Sequence, residues 1–390
     1  MAKNFTTVAM PRSFLLLLVI TAVWWPQRVD ALDHVVLRRD GQEKEIAGQL
    51  LVTAADGGLL VMSADGVLWA VQPEELVKHT HDSQEFQPLA EPALARQLLT
   101  ELPEGFEVYS TAHYLVCYNT SRHYAAWCGA LFERLYLGFT NYWTRKGIKL
   151  TDPKFPLVAI VFRDPQSYQQ YSRAELGDAA QSIIGYYSLR SNRMTMYDLT
   201  GVDALRGPGA RRGSAAQINQ MLSRPEAERT VATIIHEATH QIAFNSGLQT
   251  RFADIPLWLS EGIAVYFETP DLQSSKGWRN IGAVNYTRLA QFRDYLPRRP
   301  ADSLRLLLTE DKRFRDSRLA NDLYAESWAL TYYLIRQRPK QYVAYLQMLS
   351  EKKQMMWDTP ATRLKEFEVA FGAPLDHLEV DFLRQMQKVR

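Results

Sequence analysis

The chain has 390 residues, 46% of them hydrophobic, with 45 basic and 43 acidic side chains and a formal charge of +2. That balance argues against a dedicated nucleic-acid binder, which carries a basic excess. The apolar fraction supports a sizeable core, and the length allows two or three domains.

At the N-terminus, Lys3 and Arg12 give a positive start, Phe14 to Trp25 is apolar and uncharged, and Val29-Asp-Ala31 is a small-x-Ala cleavage pattern. This predicts an export signal over residues 1–31 and a periplasmic or extracellular protein. The apolar run is about a dozen residues, short of the roughly 20 that span a bilayer. An uncleaved anchor is the alternative, and no stable membrane span is expected elsewhere.

Residues 32–90 predict a small β-rich module. His34-Val-Val-Leu37, Gly48 to Thr53, Gly58 to Met62 and Val67 to Val71 read as short strands. Asp40-Gly41, Asp56-Gly57 and Asp65-Gly66 supply hairpin turns between them. His79 and His81 follow the module and read as solvated loop histidines, with a second metal site as the alternative.

Residues 106–200 alternate strand and helix. Val108 to Tyr118 and Pro156 to Phe162 read as strands, Ala125 to Trp143 and Pro165 to Ala174 as helices, and Ile183 to Leu189 with Met194 to Leu199 as a hairpin. Cys117 falls on the first strand and Cys128 near the start of the first helix. They could form one disulfide or remain two buried thiols, since geometry rather than spacing decides. Residues 201–228, rich in Gly, Ala, Arg and Ser, read as a mobile loop with a short helix near Ala215 to Leu222. A lid, a processing site and a disordered insertion are all open for it.

Val231 to Phe244 is an apolar segment carrying His236-Glu-Ala-Thr-His240. On a helix the two histidines stand one turn apart on one face and can hold a metal through their ring nitrogens. Glu237 lies beside that face, placed to take a proton from a water. A buried helix must partner these polar groups, and a metal does so. A catalytic zinc takes three protein ligands and leaves one position open. His113, His123 and His377 lie far away in sequence. Glu261, in the apolar run from Pro256 to Glu268, is the nearer candidate, with Glu268 and Asp254 as rivals. Further on, Ser327 to Arg336, Gln341 to Ser350 and Leu375 to Val389 are amphipathic stretches of a helical region over 282–390.

The His236-Glu-Ala-Thr-His240 motif followed by Trp258-Leu-Ser-Glu-Gly-Ile-Ala264 resembles the gluzincin metallopeptidases, whose second helix carries a glutamate ligand. Locally it is similar to the aminopeptidase N branch. It is closer still to a bacterial family of unknown function with a peptidase-MA-like core, which also carries a later run similar to Tyr324-Ala-Glu-Ser-Trp-Ala-Leu330. The resemblance covers 105–390 and is specific at the ligand positions. It implies an α+β fold: the β module, then a gluzincin-like catalytic domain with an upper mixed sheet and metal helix (105–245) and a lower helical lobe (246–390). It also implies that Tyr324 donates to the oxyanion, the bland alternative being an aromatic core residue.

Two departures matter. The branch's Gly-x-Met-Glu-Asn strand is missing, so exopeptidase action is unsupported, although Ser191 to Asp198 could serve as an edge strand for an extended peptide. Val265 stands where thermolysin-type enzymes place an aspartate, leaving Asp254 or Glu268 to orient His236. The resulting expectation is an exported metallopeptidase with one zinc on His236, His240 and Glu261, with Glu237 and Tyr324 catalytic and a peptide or protein as substrate. The rival is a non-catalytic zinc-containing binding protein of the cell envelope that acts through its β module. Hydrolysis of a non-peptide amide would use the same machinery.

Overall fold

Three Asp-Gly turns set out the first sheet. At Asp40-Gly41 both central residues have positive φ, 53° and 76°, as a tight hairpin requires. The strands are β1 (Ala31–Arg39), β2 (Gln42–Thr53), β3 (Leu59–Ser63), β4 (Leu68–Val71) and β5 (Leu76–Glu85), antiparallel in the order β4-β3-β2-β1-β5. The fifth strand is absent from the sequence expectation. It holds His79 and His81 in the sheet rather than in a loop after it, and His79 Nε2 lies 2.7 Å from Asp33 Oδ1. The computed structural model describes residues 31–201, 215–269 and 281–390. The expected export signal, apart from Ala31, and residues 202–214 of the expected mobile loop therefore lie outside the described residues.

The module is docked rather than tethered. One face of its sheet packs Val35, Leu37, Ile46 and Val61 together. The other packs Leu60, Met62 and Leu68 against Phe155 of the second half of the molecule. The Leu68 amide donates to the Arg190 carbonyl (2.8 Å), and Arg193 reaches Asp65 (3.2 Å).

After α1 (Glu91–Glu101) comes a second sheet of β6 (Glu107–Ser110), β7 (Tyr114–Tyr118), β8 (Leu157–Phe162), β9 (Gly185–Tyr187) and β10 (Arg193–Tyr197), ordered β6-β7-β8-β10-β9. The strand expected over 108–118 is a hairpin, because the Thr111 amide bonds the Tyr114 carbonyl (2.9 Å) and turns the chain. The three central strands are parallel and covered on both faces, which is why they read as continuous apolar runs. Leu115, Cys117, Ile160 and Phe162 share one face with α1 and α3 (Pro165–Leu176). Val116, Ala159, Val161 and Met194 share the other with α2 (Arg122–Arg145). Strand alternation thus decides the cysteine question. Cys117 points to one side of the sheet and Cys128, on α2, packs on the other, and both are buried free thiols. The expected edge strand is also corrected. Residues 193–197 are interior, paired with β8 and β9, and β9 is the edge.

The remainder is helical: α4 (Ala215–Leu222), α5 (Pro225–Asn245), α6 (Leu257–Phe267), α7 (Tyr286–Tyr295), α8 (Ser303–Thr309), α9 (Ala320–Gln337), α10 (Pro339–Ser350), α11 (Pro360–Phe371) and α12 (Leu375–Met386). The protein is of mixed α+β class. Helix α6 is buried from Trp258 to its end at Phe267. It lies so close to α9 that a methyl group on Gly262 would sit 2.2 Å from Thr331 Oγ1 and 2.8 Å from the Ser327 carbonyl oxygen. Among the described residues no helix is long and apolar enough to cross a membrane.

Candidate metal centre

Helix α5 starts with Pro225 in its first turn, where a missing amide hydrogen costs nothing. Its apolar residues Val231, Ile234, Ile235, Ala238 and Ile242 are buried, fixing the rotation of the helix. That rotation turns His236 and His240 toward α6, which presents Glu261. The three residues are at most 9% exposed.

Their tips converge. His236 Nε2 is 3.0 Å from His240 Nε2 and 3.0 Å from Glu261 Oε2, and His240 Nε2 is 3.5 Å from that oxygen. A tetrahedral ion with ligand bonds of about 2.0–2.1 Å has ligand-to-ligand edges of about 3.3 Å. The triangle has that size, so these residues could hold a metal ion. Among the described residues no fourth His, Cys, Asp or Glu joins the group.

Each imidazole is fixed from behind. Glu268 Oε1 lies 2.8 Å from His236 Nδ1. His240 Nδ1 is 3.2 Å from Ser260 Oγ, which in turn donates to Gln249 Oε1 (3.1 Å). Both contacts favour a proton on Nδ1 and leave Nε2 for a metal. Of the two carboxylates expected as partner to His236, Glu268 is the one in place. Asp254 is instead held by Arg363 (3.0 and 2.6 Å), which also removes it as a rival ligand. Glu268 touches Nδ1 rather than the converging Nε2 atoms, so it too falls outside the ligand set.

The electrostatics follow. Burial opposes a charged His236, but the carboxylates of Glu261 and Glu268 outweigh it and hold its pKa well above the ordinary histidine value. Burial likewise opposes an ionised Glu261, yet His240 and His236 hold it well below the usual carboxylate range. The two carboxylates thus favour the protonated form of His236, and a metal binding there competes with that proton.

Glu237 is distinct from the ligands. Burial lifts its pKa above the ordinary carboxylate value, against the pull of His236 and His240. Its Oε2 accepts from the amide of Tyr187, at 2.8 Å, on the edge strand β9. The next amide, Ser188, donates inward to the Arg193 carbonyl, so Tyr187 points to the open side of the edge. Tyr324, on α9, has its ring 6.1 Å from that of His236 and stacks edge-on with Phe314. The charge of Glu261, then burial, raises its pKa. His113, His123 and His377 take no part in the cluster.

Ser260, Gln249 and the Tyr187 amide were not singled out from sequence. Ser260 precedes Glu261 directly, but a backbone amide carries no signal in residue identity. A family model described as "Protein of unknown function (DUF1570)" matches residues 230–356, a stretch that holds His236, Glu237, His240, Glu261, Glu268 and Tyr324. No curated protein matches the chain.

Proposed function

We propose that the protein is a zinc-dependent hydrolase of peptide bonds, exported from the cell, with His236, His240 and Glu261 as the metal ligands. The observation that carries this reading is the triangle of two imidazole nitrogens and a carboxylate oxygen with 3.0–3.5 Å edges, beside a half-buried carboxylate that is not part of it. Two histidines and a glutamate are a donor set suited to catalytic zinc. Zinc, when bound, supplies Lewis acidity toward a carbonyl and acidifies water.

The other steps belong to the chain's own residues. Glu237, with its basicity raised by burial, takes the proton of the attacking water and delivers it to the leaving amine. The Tyr187 amide holds that carboxylate in position. Strand β9 is the edge of its sheet, and apart from the Tyr187 amide, which Glu237 occupies, its outward backbone groups are those an extended peptide would pair with. Tyr324 keeps its phenolic proton, because its pKa is raised, and can donate it as a hydrogen bond to the developing oxyanion.

The test is a peptide-library digest with zinc-loaded wild type beside Glu237→Gln. The expected result is cleavage by wild type, and an equally zinc-loaded variant slower by about 100- to 10,000-fold. An undiminished rate in the variant, or no cleavage of any peptide by zinc-replete wild type, would overturn the proposal.

A further inference from the structure

A cleft of about 730 Å³ reaches the centre at Glu268, the partner of His236 Nδ1. It opens between the outer face of α5 and the first turns of α7, and Thr233, Glu268, Asn285, Arg288, Gln291 and Asn321 are among its lining residues. This lining is polar, and one residue in it is poorly matched to its surroundings. The side chain of Arg288 is only 19% exposed. A guanidinium has five N–H donors. Among the described residues, Arg288 gives one hydrogen bond, to Gln291 Oε1 at 3.2 Å, and rests 5.4 Å over the ring of Tyr324.

The carboxylate nearest to Arg288, Glu268, lies 3.8 Å away and already accepts from His236 Nδ1 at 2.8 Å. Arg288 is thus a half-buried cation that gives a single hydrogen bond among the described residues and stands one carboxylate away from a metal-ligand histidine. The Tyr324 ring that marks its position stands 6.1 Å from the ring of His236. A fork of N–H donors suits a planar carboxylate, which it grips by two parallel bonds. Asn285, Gln291 and Asn321 add amides that can bond the polar groups around such an anion.

We propose that Arg288 is the anchor for a substrate carboxylate, so that the cleft takes peptides carrying either a free C-terminus or an acidic side chain a short distance from the scissile bond. This rests on the hydrolase reading for the word substrate, but carboxylate binding itself does not require turnover.

The experiment is calorimetric titration of the full chain, metal-free and zinc-loaded, with N-acetyl-dialanine as the free acid and as the C-terminal amide. A second pair of acetylated and amidated peptides differs only in one Asp against Asn. Arg288→Gln and Arg288→Lys are titrated in parallel, with zinc stoichiometry and thermal midpoint as folding controls. The expected result is that one acid form binds about 10- to 100-fold more tightly than its neutral partner. That preference should vanish in Arg288→Gln and be partly kept in Arg288→Lys, which holds the charge but loses the fork. Preference within the first pair identifies the C-terminus as the source, and within the second an acidic side chain. Equal binding of acid and neutral forms by wild type, or a preference that survives Arg288→Gln, overturns the proposal. A zinc-loaded protein that binds the acids through Arg288 but cleaves none would refute the hydrolase reading and leave the carboxylate site standing.

Discussion

The contact between His236 Nδ1 and Glu268 Oε1, 2.8 Å long, makes a quantitative prediction about metal affinity. Glu268→Gln keeps an acceptor for the Nδ1 proton but removes a charge that does two opposing things. In the loaded site the charge makes Nε2 a better donor. In the empty site it stabilises the imidazolium that competes with the metal. Above the pKa of His236 only the first effect operates, and loss of such a partner weakens binding by about 10- to 100-fold. Below that pKa, displacing the one Nε2 proton costs about tenfold in affinity for each pH unit.

Because Glu268 helps to raise the His236 pKa, the decline in wild type begins at a higher pH than in the variant. The two affinity curves should therefore be far apart in alkaline buffer and draw together as the pH falls. Competition with a chromophoric chelator across a pH series measures both curves. Curves that coincide at high pH, or a gap that widens on acidification, would refute the reasoning.

Three other outcomes follow from the packing. Gly262→Ala forces α6 away from α9 and should destabilise the fold by about 1–3 kcal/mol, as overpacking does, while weakening zinc binding through the adjacent Glu261, both read by denaturant melts and chelator competition. Asp254→Asn leaves buried Arg363 with Asp311 as its remaining carboxylate partner and should cost about 1–3 kcal/mol in a urea melt near neutral pH. Against burial, Arg363 and Lys352 lower the Asp254 pKa, so the pair's contribution is present above the unfolded-state pKa of about 3.9 and is lost as pH falls through the lower folded value; the cost of the substitution should shrink accordingly in strongly acidic buffer. Burial pushes the Cys117 thiol up to about 12 and raises Cys128 well above its ordinary value, so a thiol reagent should label neither in the native protein and both after denaturation.

The parts of the site legible in the sequence are those set by local spacing. His236 and His240 need only one helical turn, and Glu261 needs only a second buried helix beside the first. The three Asp-Gly turns were legible for the same reason. Glu268 against Asp254 was not, because the choice depends on where α6 ends and on Arg363, more than a hundred residues along the chain. Strand β5 escaped because Lys78-His-Thr-His-Asp-Ser-Gln84 is polar on both faces and lacks the alternation that marks a half-buried strand. The exchange of β10 for β9 at the edge has another cause. Residues 193–197 insert beside β8 in parallel, and sheet order is a long-range property that no residue pattern records. The cysteines illustrate the converse. Strand alternation separates them once the helices covering each face are known.

Arg251 lies in the segment joining the two helices of the centre. Its Nη1 donates to the carbonyls of Gly66, on the β-module hairpin (3.0 Å), and of Leu189, between β9 and β10 (3.2 Å). One guanidinium thus ties together the module, the β9–β10 hairpin and the connection between the helices that carry His240 and Glu261. Such a knot makes assembly and metal loading thermodynamically reciprocal: whatever affinity for the ion is gained from a seated module must return as an equal tightening of the module's seat when the ion binds. The N-terminal sheet would then act as an allosteric partner of the ion, whether or not it ever touches a substrate.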